Sequence, residues 1–510
     1  MSETHISWVL FTPDRAFKIL KPVTMPFLDL RTREARLAAV DREFELNRRL
    51  APDVYLGVSD IVEHGEVVDR MLVMRRLPAD RRLAALVGDD RFDDHLRRVA
   101  RAVAIFHADA PPVDPAPMAT RDALAALWED NLTVLGDHVG AIIDAESHAR
   151  LCDLTSAFLR GRDSLFAARA ADGMVRDGHG DLLAEDIFCL DDGPRIIDCL
   201  AFDDDLRIGD VLLDIAFLVM DVERLAGREA GRRLLVWYQE FSNEHHPPSL
   251  AHHYVAYRAS VRAKVACLRH DQGDDLSADL ARRYTAMAVD HLERARVRMV
   301  LVGGGPGVGK SVLAHGLGDR YGATVLATDE IRKDLTGTPH DEHRFAAPGE
   351  GIYDDATSDQ AYDEMLREAT LLLRRGESVV LDATWAAERH RSSARSAARA
   401  TVSDLAEIEC VLDPAIAKER IAERLSNPWS PSDATPDLVD HHAQRRDPWA
   451  EAVQVDTAMV PAAVVAAALP AVDGRGPSGP DASTAHVGDT DADPRPARGG
   501  VEPGFEARLE

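Results

Sequence analysis

The sequence is short of cysteine and of positive charge, and it has no long run of apolar residues. Its 510 residues include five cysteines, and this odd, scattered set lacks the spacing of a zinc site and is typical of a reducing compartment. Acidic residues outnumber basic ones by 87 to 60, which argues against a large cationic surface for nucleic acid. The hydrophobic share of 45% is nevertheless enough to build packed cores.

No stretch of the sequence predicts a membrane segment or a leader. The first residues show no basic region followed by an apolar run, and the longest weakly polar run, 459–472, has 14 residues, whereas a membrane span needs about 20. We therefore expect a cytoplasmic protein with no membrane partner. The length predicts two or three domains, and the sequence gives no indication of an oligomeric state.

The first half of the chain predicts a small sheet lobe followed by a helical lobe. Two strand-like hairpins, 6–20 and 54–76, flank a charged amphipathic helix at 32–50. Helical spacing of apolar residues then dominates from 92 to about 298. A short hairpin with an Asp-Asp-Gly turn interrupts it at 187–197.

From about residue 297 strands and helices alternate, which predicts a parallel sheet covered by helices. The first strand runs into GGGPGVGKS, which carries the P-loop pattern GxxxxGKS and is followed by a helical run. The glycines let backbone N–H groups turn toward phosphate oxygens, while the lysine and the serine hold phosphates and Mg²⁺. No register gives GxGxxG, so a nicotinamide cofactor is disfavoured. The predicted nucleotide-binding residues are Gly304, Gly305, Pro306, Gly307, Val308, Gly309, Lys310 and Ser311.

Two further strands end in carboxylates that a parallel sheet would place beside this loop. We expect Asp329 to accept the proton of an acceptor hydroxyl, although a residue at this position can instead cap the next helix. Asp382 ends the apolar run SVVLD, a Walker B pattern, and is predicted to hold Mg²⁺ together with Ser311. Arg420 and Arg424 lie one helical turn apart. They are expected to stabilise charge on the transferred phosphoryl group, unless they only form a solvated face.

Residues 297–455 resemble the P-loop kinases of small molecules and polynucleotides, in the group of AAA-type predicted kinases. The resemblance rests on the phosphate loop, the strand ending in Asp329 with Arg332 three residues later, the Walker B strand and the arginine-bearing helix. It implies that Asp329 activates the acceptor hydroxyl and that Arg332 helps to orient it. The acceptor varies within this group, so the resemblance does not identify it.

A second set of carboxylates lies in the first half, over residues 5–285. His179-Gly180-Asp181 is followed by Asp186 and, across the short hairpin, by Asp198. This spacing resembles the catalytic loop and the metal-binding carboxylates of aminoglycoside phosphotransferases and protein kinases. The resemblance implies that Asp181 is the base, that Asp186 and Asp198 hold a metal ion, and that His179 fixes the loop.

The same resemblance implies an ion pair that orients the nucleotide, made by Lys18 or Lys21 with Glu43. The sequence departs from the family in two places. Asp186 stands where the family has asparagine, and about ten residues precede the strand of Lys18, too few for a complete glycine-loop hairpin. Three interpretations therefore stay open for this half: a second phosphotransferase, a degenerate fold that binds substrate or regulates the other half, and a structural module.

The whole chain resembles the two-domain proteins known as bifunctional aminoglycoside phosphotransferase/ATP-binding proteins. The expected α/β architecture has a two-lobed kinase-like α+β domain at 1–290, a P-loop domain with a parallel sheet at 296–460 and a disordered tail at 461–510. The expected function is transfer of the γ-phosphate of ATP, with Mg²⁺, to a hydroxyl of a small molecule. The alternatives are a nucleotide-gated regulatory protein with little acceptor-dependent chemistry and an antibiotic or nucleotide-sugar kinase.

Overall fold

The structure of the protein, a computed structural model, describes residues 1–4, 6–25, 28–114, 119–339, 355–425 and 435–474. Across these ranges, none of the helices combines the length and the apolarity that crossing a bilayer requires.

The small lobe of the first half is an antiparallel sheet with one helix packed on it. Its elements are β1 (Ser2–Glu3), β2 (Ser7–Phe11), β3 (Arg15–Leu20), β4 (Thr24–Met25), β5 (Leu28–Asp29), α1 (Arg33–Asn47), β6 (Tyr55–Glu63) and β7 (Glu66–Arg75). The strand order is β1-β2-β3-β7-β6, and β4 pairs separately with β5. Because side chains alternate along a strand, Ala16, Lys18 and Leu20 of β3 are all buried. The predicted hairpins and helix are confirmed.

The second lobe of the first half is mainly helical. Its elements are α2 (Phe92–Asp109), α3 (Arg121–Asp137), α4 (Ala145–Arg160), α5 (Asp163–Ala171), β8 (Val175–Asp177), β9 (Ile187–Leu190), β10 (Gly193–Ile196), α6 (Asp204–Arg207), β11 (Ile208–Asp210), α7 (Val211–Ala226), α8 (Arg228–Ser242), α9 (Pro248–Asp271) and α10 (Ser277–Arg294). The predicted hairpin is the β9–β10 pair, and β8 pairs with β11. Helical periodicity explains α2, in which Leu96, Val99 and Val103 share a buried face.

The second half contains the predicted parallel sheet. Its elements are β12 (Arg298–Gly303), α11 (Lys310–Tyr321), β13 (Thr324–Ala327), α12 (Thr328–Thr336), α13 (Asp355–Arg374), β14 (Val379–Asp382), α14 (Glu388–Ala400), β15 (Asp404–Val411), α15 (Pro414–Leu425), α16 (Asp437–Arg445), β16 (Val453–Asp456) and α17 (Pro461–Asp473). The strand order is β13-β14-β12-β15-β16, with every neighbouring pair parallel. The strand β12 lies at its centre and is buried along its whole length.

The helix α17 corrects the expectation of a disordered tail from residue 461. Val464, Ala468 and Val472 recur at four-residue spacing and are buried against the parallel sheet and α11. Pro461 occupies the first turn, where a helix does not need the N–H that proline lacks. A segment rich in alanine and proline therefore folds because its few larger residues share one face. The rest of the expected tail, 475–510, lies outside the described residues.

The two halves share one hydrophobic core. Only three residues connect α10 to β12, and two of them, Ala295 and Val297, are buried. Met299 and Leu301, on one face of the parallel sheet, belong to the same core as the helices of the first half. Val302, on the opposite face, belongs to a separate core with α11 and α17. This side of the P-loop sheet is covered by α13 and α14, which belong to the same core, and α13 in turn packs on α5 of the first half.

A buried arginine also joins the halves. Arg162, between α4 and α5, donates hydrogen bonds to the backbone carbonyls of Thr401 (2.7 Å) and Val402 (3.4 Å) at the end of α14. Burial lowers the pKa of Arg162 to about 10. Gly161 is packed so closely on Thr401 that a side chain there would have no room. Val402 has φ of 47°, which is strained for a β-branched residue, and its surroundings must hold it there.

We expect Arg162→Ala to lower the free energy of unfolding by about 2–4 kcal/mol, because it removes the hydrogen bonds to the carbonyls of Thr401 and Val402 and leaves a cavity between the halves. Arg160→Ala is the matched control. Arg160 is exposed at the end of α4, and its loss should change stability by about 0.5 kcal/mol or less. Guanidinium unfolding followed by fluorescence measures both. Equal stabilities of the two variants would contradict the role of Arg162 at this interface.

Candidate active site

The loop between β12 and α11 is shaped by its glycines. Gly304, Gly307 and Gly309 have φ of 132°, 77° and 95°, a backbone conformation that other residues rarely adopt. A Cβ atom on Gly307 would lie 2.6 Å from the carbonyl oxygen of Ala417 in α15. The glycines therefore permit both the curl of the loop and its close packing. The loop ends at the N-terminus of α11, where backbone N–H groups and the helix dipole favour phosphate.

The register of the sheet brings the Walker B carboxylate to this loop. Val302, next to the loop, pairs with Asp382 at the end of β14. Asp382 is buried and shares a hydrogen bond with Ser311, at the start of α11. Lys310 Nζ donates a hydrogen bond to the carbonyl of Gly305 at 3.0 Å, which folds the lysine back over the loop. The two oxygen donors that Mg²⁺ would need are therefore side by side, and they are of the type it prefers.

Burial raises the pKa of Asp382 above its ordinary value of 3.8, although Lys310 and the hydrogen bond with Ser311 oppose the shift. The charge of Asp329 acts in the same direction as burial. The two carboxylates therefore lie close enough to influence each other, and a bound cation would relieve both the repulsion and the loss of hydration.

Asp329 lies at the sheet edge that the sequence predicted. Ala327, the last residue of β13, pairs with Asp382, and Asp329 follows in the first turn of α12. The N-cap position belongs to Ala327, so the alternative in which Asp329 caps the helix is wrong. Its side chain is 61% exposed and accepts a hydrogen bond at 2.7 Å from Arg332, which is buried. The arginine thus holds the carboxylate while leaving it open to solvent.

Of the two predicted arginines on α15, the structure brings Arg420 to the phosphate loop. Its guanidinium donates to the carbonyl of Thr457 at 3.0 Å and lies 3.6 Å from the position of a Cβ atom on Gly309. Arg424 belongs to the same helix, but its side chain lies outside the described residues.

Three residues near the loop were not singled out by the sequence. Thr457, after β16, donates a hydrogen bond from Oγ1 to the carbonyl of Val308. Trp449 fills the space beside Gly303, and His442 of α16 packs on Gly305. No local motif marks these residues, because they come from segments more than 130 positions away along the chain.

In the first half, the structure identifies which lysine makes the predicted ion pair. Lys18 Nζ lies 2.8 Å from the carboxylate of Glu43 and 3.5 Å from that of Asp198, with all three side chains buried. Lys21 pairs instead with Glu3, near the start of the chain. One positive charge thus faces two negative ones. These three residues line one cleft. Nucleotide phosphates would therefore need added cations in order to enter it.

The catalytic-loop residues of the first half lie beside this pair. Asp181 lines the same cavity as Lys18, and Asp186 is buried just before β9. The loop is held by Asp214, whose carboxylate accepts the backbone N–H groups of His179 (2.7 Å) and Gly180 (2.8 Å). Burial opposes the ionisation of Asp214, but these bonds and one from a buried histidine outweigh it and keep its pKa well below the usual range.

The covering loop of the first half is short, as the sequence predicts. Only residues 4–6 connect β1 to β2, and none of them is glycine. Within the part of the chain that the structure describes, the ion pair and the carboxylates of a kinase-like cleft are therefore present without a glycine-rich connection between β1 and β2.

Comparison with known proteins places the second half in a described family. The AAA domain family matches residues 299–449, which hold the phosphate loop, Asp329 and Asp382. The uncharacterized protein Rv2004c of Mycobacterium tuberculosis is 39% identical over 467 residues, covering 89% of this chain and 92% of the relative. A protein of Mycobacterium bovis, Mb2027c, matches with the same identity and coverage.

Two solved structures are similar to different parts of the chain. A gluconokinase from Sinorhizobium meliloti is 19% identical over 34% of this chain and 91% of its own, with a TM-score of 0.26. The GDP complex of a mutant aminoglycoside 2′-phosphotransferase is 15% identical over 58% of this chain and 89% of its own, with a TM-score of 0.35.

We expect Asp382→Asn to stabilise the protein at pH 7 in the absence of Mg²⁺. A raised folded-state pKa means that ionisation of Asp382 costs more in the folded than in the unfolded chain, so this group lowers stability as the pH rises above about 3.8. The advantage of the variant should therefore vanish below that pH. With Mg²⁺ and ATP present, wild type should be more stable than Asp382→Asn, because only the carboxylate neutralises the metal ion.

Thermal unfolding between pH 3.5 and 7.5, with and without Mg²⁺ and ATP, measures these effects. The control is Asp456→Asn, since Asp456 ends β16 but is exposed. An equal rise in Tm with Mg²⁺ and ATP in wild type and Asp382→Asn would contradict metal binding by Asp382.

Proposed function

The chain belongs to the family of the mycobacterial protein Rv2004c, and we propose that it is a phosphotransferase that uses ATP and Mg²⁺ to phosphorylate a hydroxyl of a small molecule. We assign the main reaction to the P-loop domain at 296–460 and treat residues 1–290 as a kinase-like domain that binds substrate, regulates, or is a second phosphotransferase.

One juxtaposition carries this proposal. The parallel register places the phosphate loop and the ends of β14 and β13 at one edge of the sheet, so that Lys310, Ser311, Asp382 and Asp329 converge there. Such an edge brings a phosphate-binding lysine, a pair of metal ligands and a solvent-accessible base into one site.

Each residue has a distinct part in the proposed reaction. The acceptor hydroxyl loses its proton to Asp329, held by Arg332, as its oxygen bonds to the γ-phosphorus and the bond to the bridging oxygen of ADP breaks. Lys310 neutralises charge on the β- and γ-phosphates, and Arg420, with Arg424 on the same helix, does so on the transferred group. Ser311 and Asp382 would hold Mg²⁺, which would supply further charge neutralisation when bound.

The cleft of the first half supports a nucleotide or substrate role for that half. Lys18 is oriented by Glu43, while Asp186 and Asp198 could ligate a metal ion beside Asp181, as in phosphotransfer. The short covering loop favours binding over rapid chemistry. The shared core also favours one alternative, a nucleotide-gated regulatory protein in which ATP changes the contact between the halves. Antibiotics and nucleotide sugars stay among the candidate acceptors.

Acceptor-dependent ATP consumption tests the proposal. A library of metabolites and aminoglycosides is screened with wild-type protein, and we expect turnover to rise only with particular hydroxyl compounds. Asp329→Asn should lower that turnover by roughly 10²- to 10⁴-fold, because asparagine cannot accept the proton. Glu330→Gln, the neighbouring exposed carboxylate in the same turn, should keep most of the activity. Tight ATP binding without acceptor-dependent turnover would instead identify the regulatory protein.

Two further variants assign the reaction to one half of the chain. Lys310→Ala should abolish product formation, because it removes the charge that binds the transferred phosphate. Asp181→Asn should leave the reaction largely intact. If Asp181→Asn abolished product formation and Lys310→Ala did not, the main reaction would belong to the first half.

A further inference from the structure

The helix α16 carries a histidine to the phosphate loop. Lys418 of α15 lies 2.8 Å from Asp440 of α16, and Arg446, just after α16, pairs with Glu409 of β15. One ion pair thus connects α16 to α15, and a second connects the end of α16 to the parallel sheet. Between these two ion pairs, His442 faces the loop.

The imidazole of His442 rests directly on the loop. Its Nδ1 lies 3.4 Å from the position that a Cβ atom on Gly305 would take. Gly305 is also the residue whose carbonyl accepts the hydrogen bond from Lys310. The histidine and the lysine therefore contact the same residue of the loop.

His442 is neutral at physiological pH. Burial lowers its pKa to about 4, and the positive charge of Lys310 acts in the same direction. A neutral imidazole carries one N–H donor. Its Nε2 is buried and has no hydrogen-bond partner within the part of the chain that the structure describes. A buried polar nitrogen of this kind is favourable only where something hydrogen-bonds to it.

We propose that His442 is a further phosphate-binding residue, whose Nε2–H donates a hydrogen bond to an oxygen of the terminal phosphates of the nucleotide. This inference rests on the proposed function, since it needs a nucleotide in the loop. A neutral donor suits the position, because a second cation beside Lys310 would repel it before the nucleotide arrives. Hydrogen bonds to an ionised phosphate are among the strong ones, and they act only when phosphate is present.

Calorimetric titration of the full chain with ATP, ADP and AMP, with Mg²⁺ present, tests the proposal. His442→Phe keeps the ring but removes both nitrogens, and we expect it to weaken ATP binding by about tenfold or more. AMP binding should stay within about twofold. His442→Gln, whose amide nitrogen can reach the position of Nε2, should restore ATP affinity to within about threefold of wild type.

The neighbouring His441→Phe serves as the control and should bind ATP as wild type does. Thermal unfolding of each variant separates lost folding from lost binding, and His442→Gln keeps the test decisive if His442→Phe unfolds. The inference is overturned if wild type binds ATP and His442→Phe binds ATP equally or more tightly. It is also overturned if His442→Phe weakens AMP binding by the same factor as ATP binding. Failure of wild type to bind any nucleotide would overturn the proposed function as well.

Discussion

The site depends on one constraint, the parallel register of three neighbouring strands. Because β13, β14 and β12 run in the same direction and end at the same level, their C-terminal residues are delivered to one edge of the sheet. The phosphate loop continues β12, the buried carboxylate Asp382 ends β14, and Asp329 follows β13. A shift of register by one residue would turn Asp382 to the opposite face, away from Ser311.

The sheet that imposes this register is itself supported by the first half of the chain. The face that carries Met299 and Leu301 shares a core with the helices of the first half, and the opposite face is covered by α11 and α17. Ser249 of α9 adds a hydrogen bond to the carbonyl of Gly376, just before β14. The strand that carries Asp382 is thus held near its start by a hydrogen bond from the first half, and at its end by the hydrogen bond between Asp382 and Ser311.

Much of this organisation could be predicted from the sequence, because it is encoded locally. The loop glycines, the carboxylates at strand ends and the alternation that buries Lys18 are all set by neighbours a few residues apart. The choice of Lys18 over Lys21 and the approach of His442 to Gly305 depend on segments far apart in the chain. The exclusion of helix capping by Asp329 depends on the residue at which α12 begins. The prediction of a disordered tail is wrong over α17, because a composition rich in alanine and proline does not reveal that the few larger residues share one face.

The way the halves are joined has a consequence for motion. The α14 end of the second half is fixed to Arg162, and α13 packs on α5, so these two helices are held by the first half of the chain. On the other side of the sheet, α16 is linked to α15 by Lys418 and Asp440, and Arg446 connects its end to Glu409 of β15. A displacement of the first half would therefore reach α13 and α14 directly, while the helices that carry Arg420 and His442 would stay with the strands of the sheet.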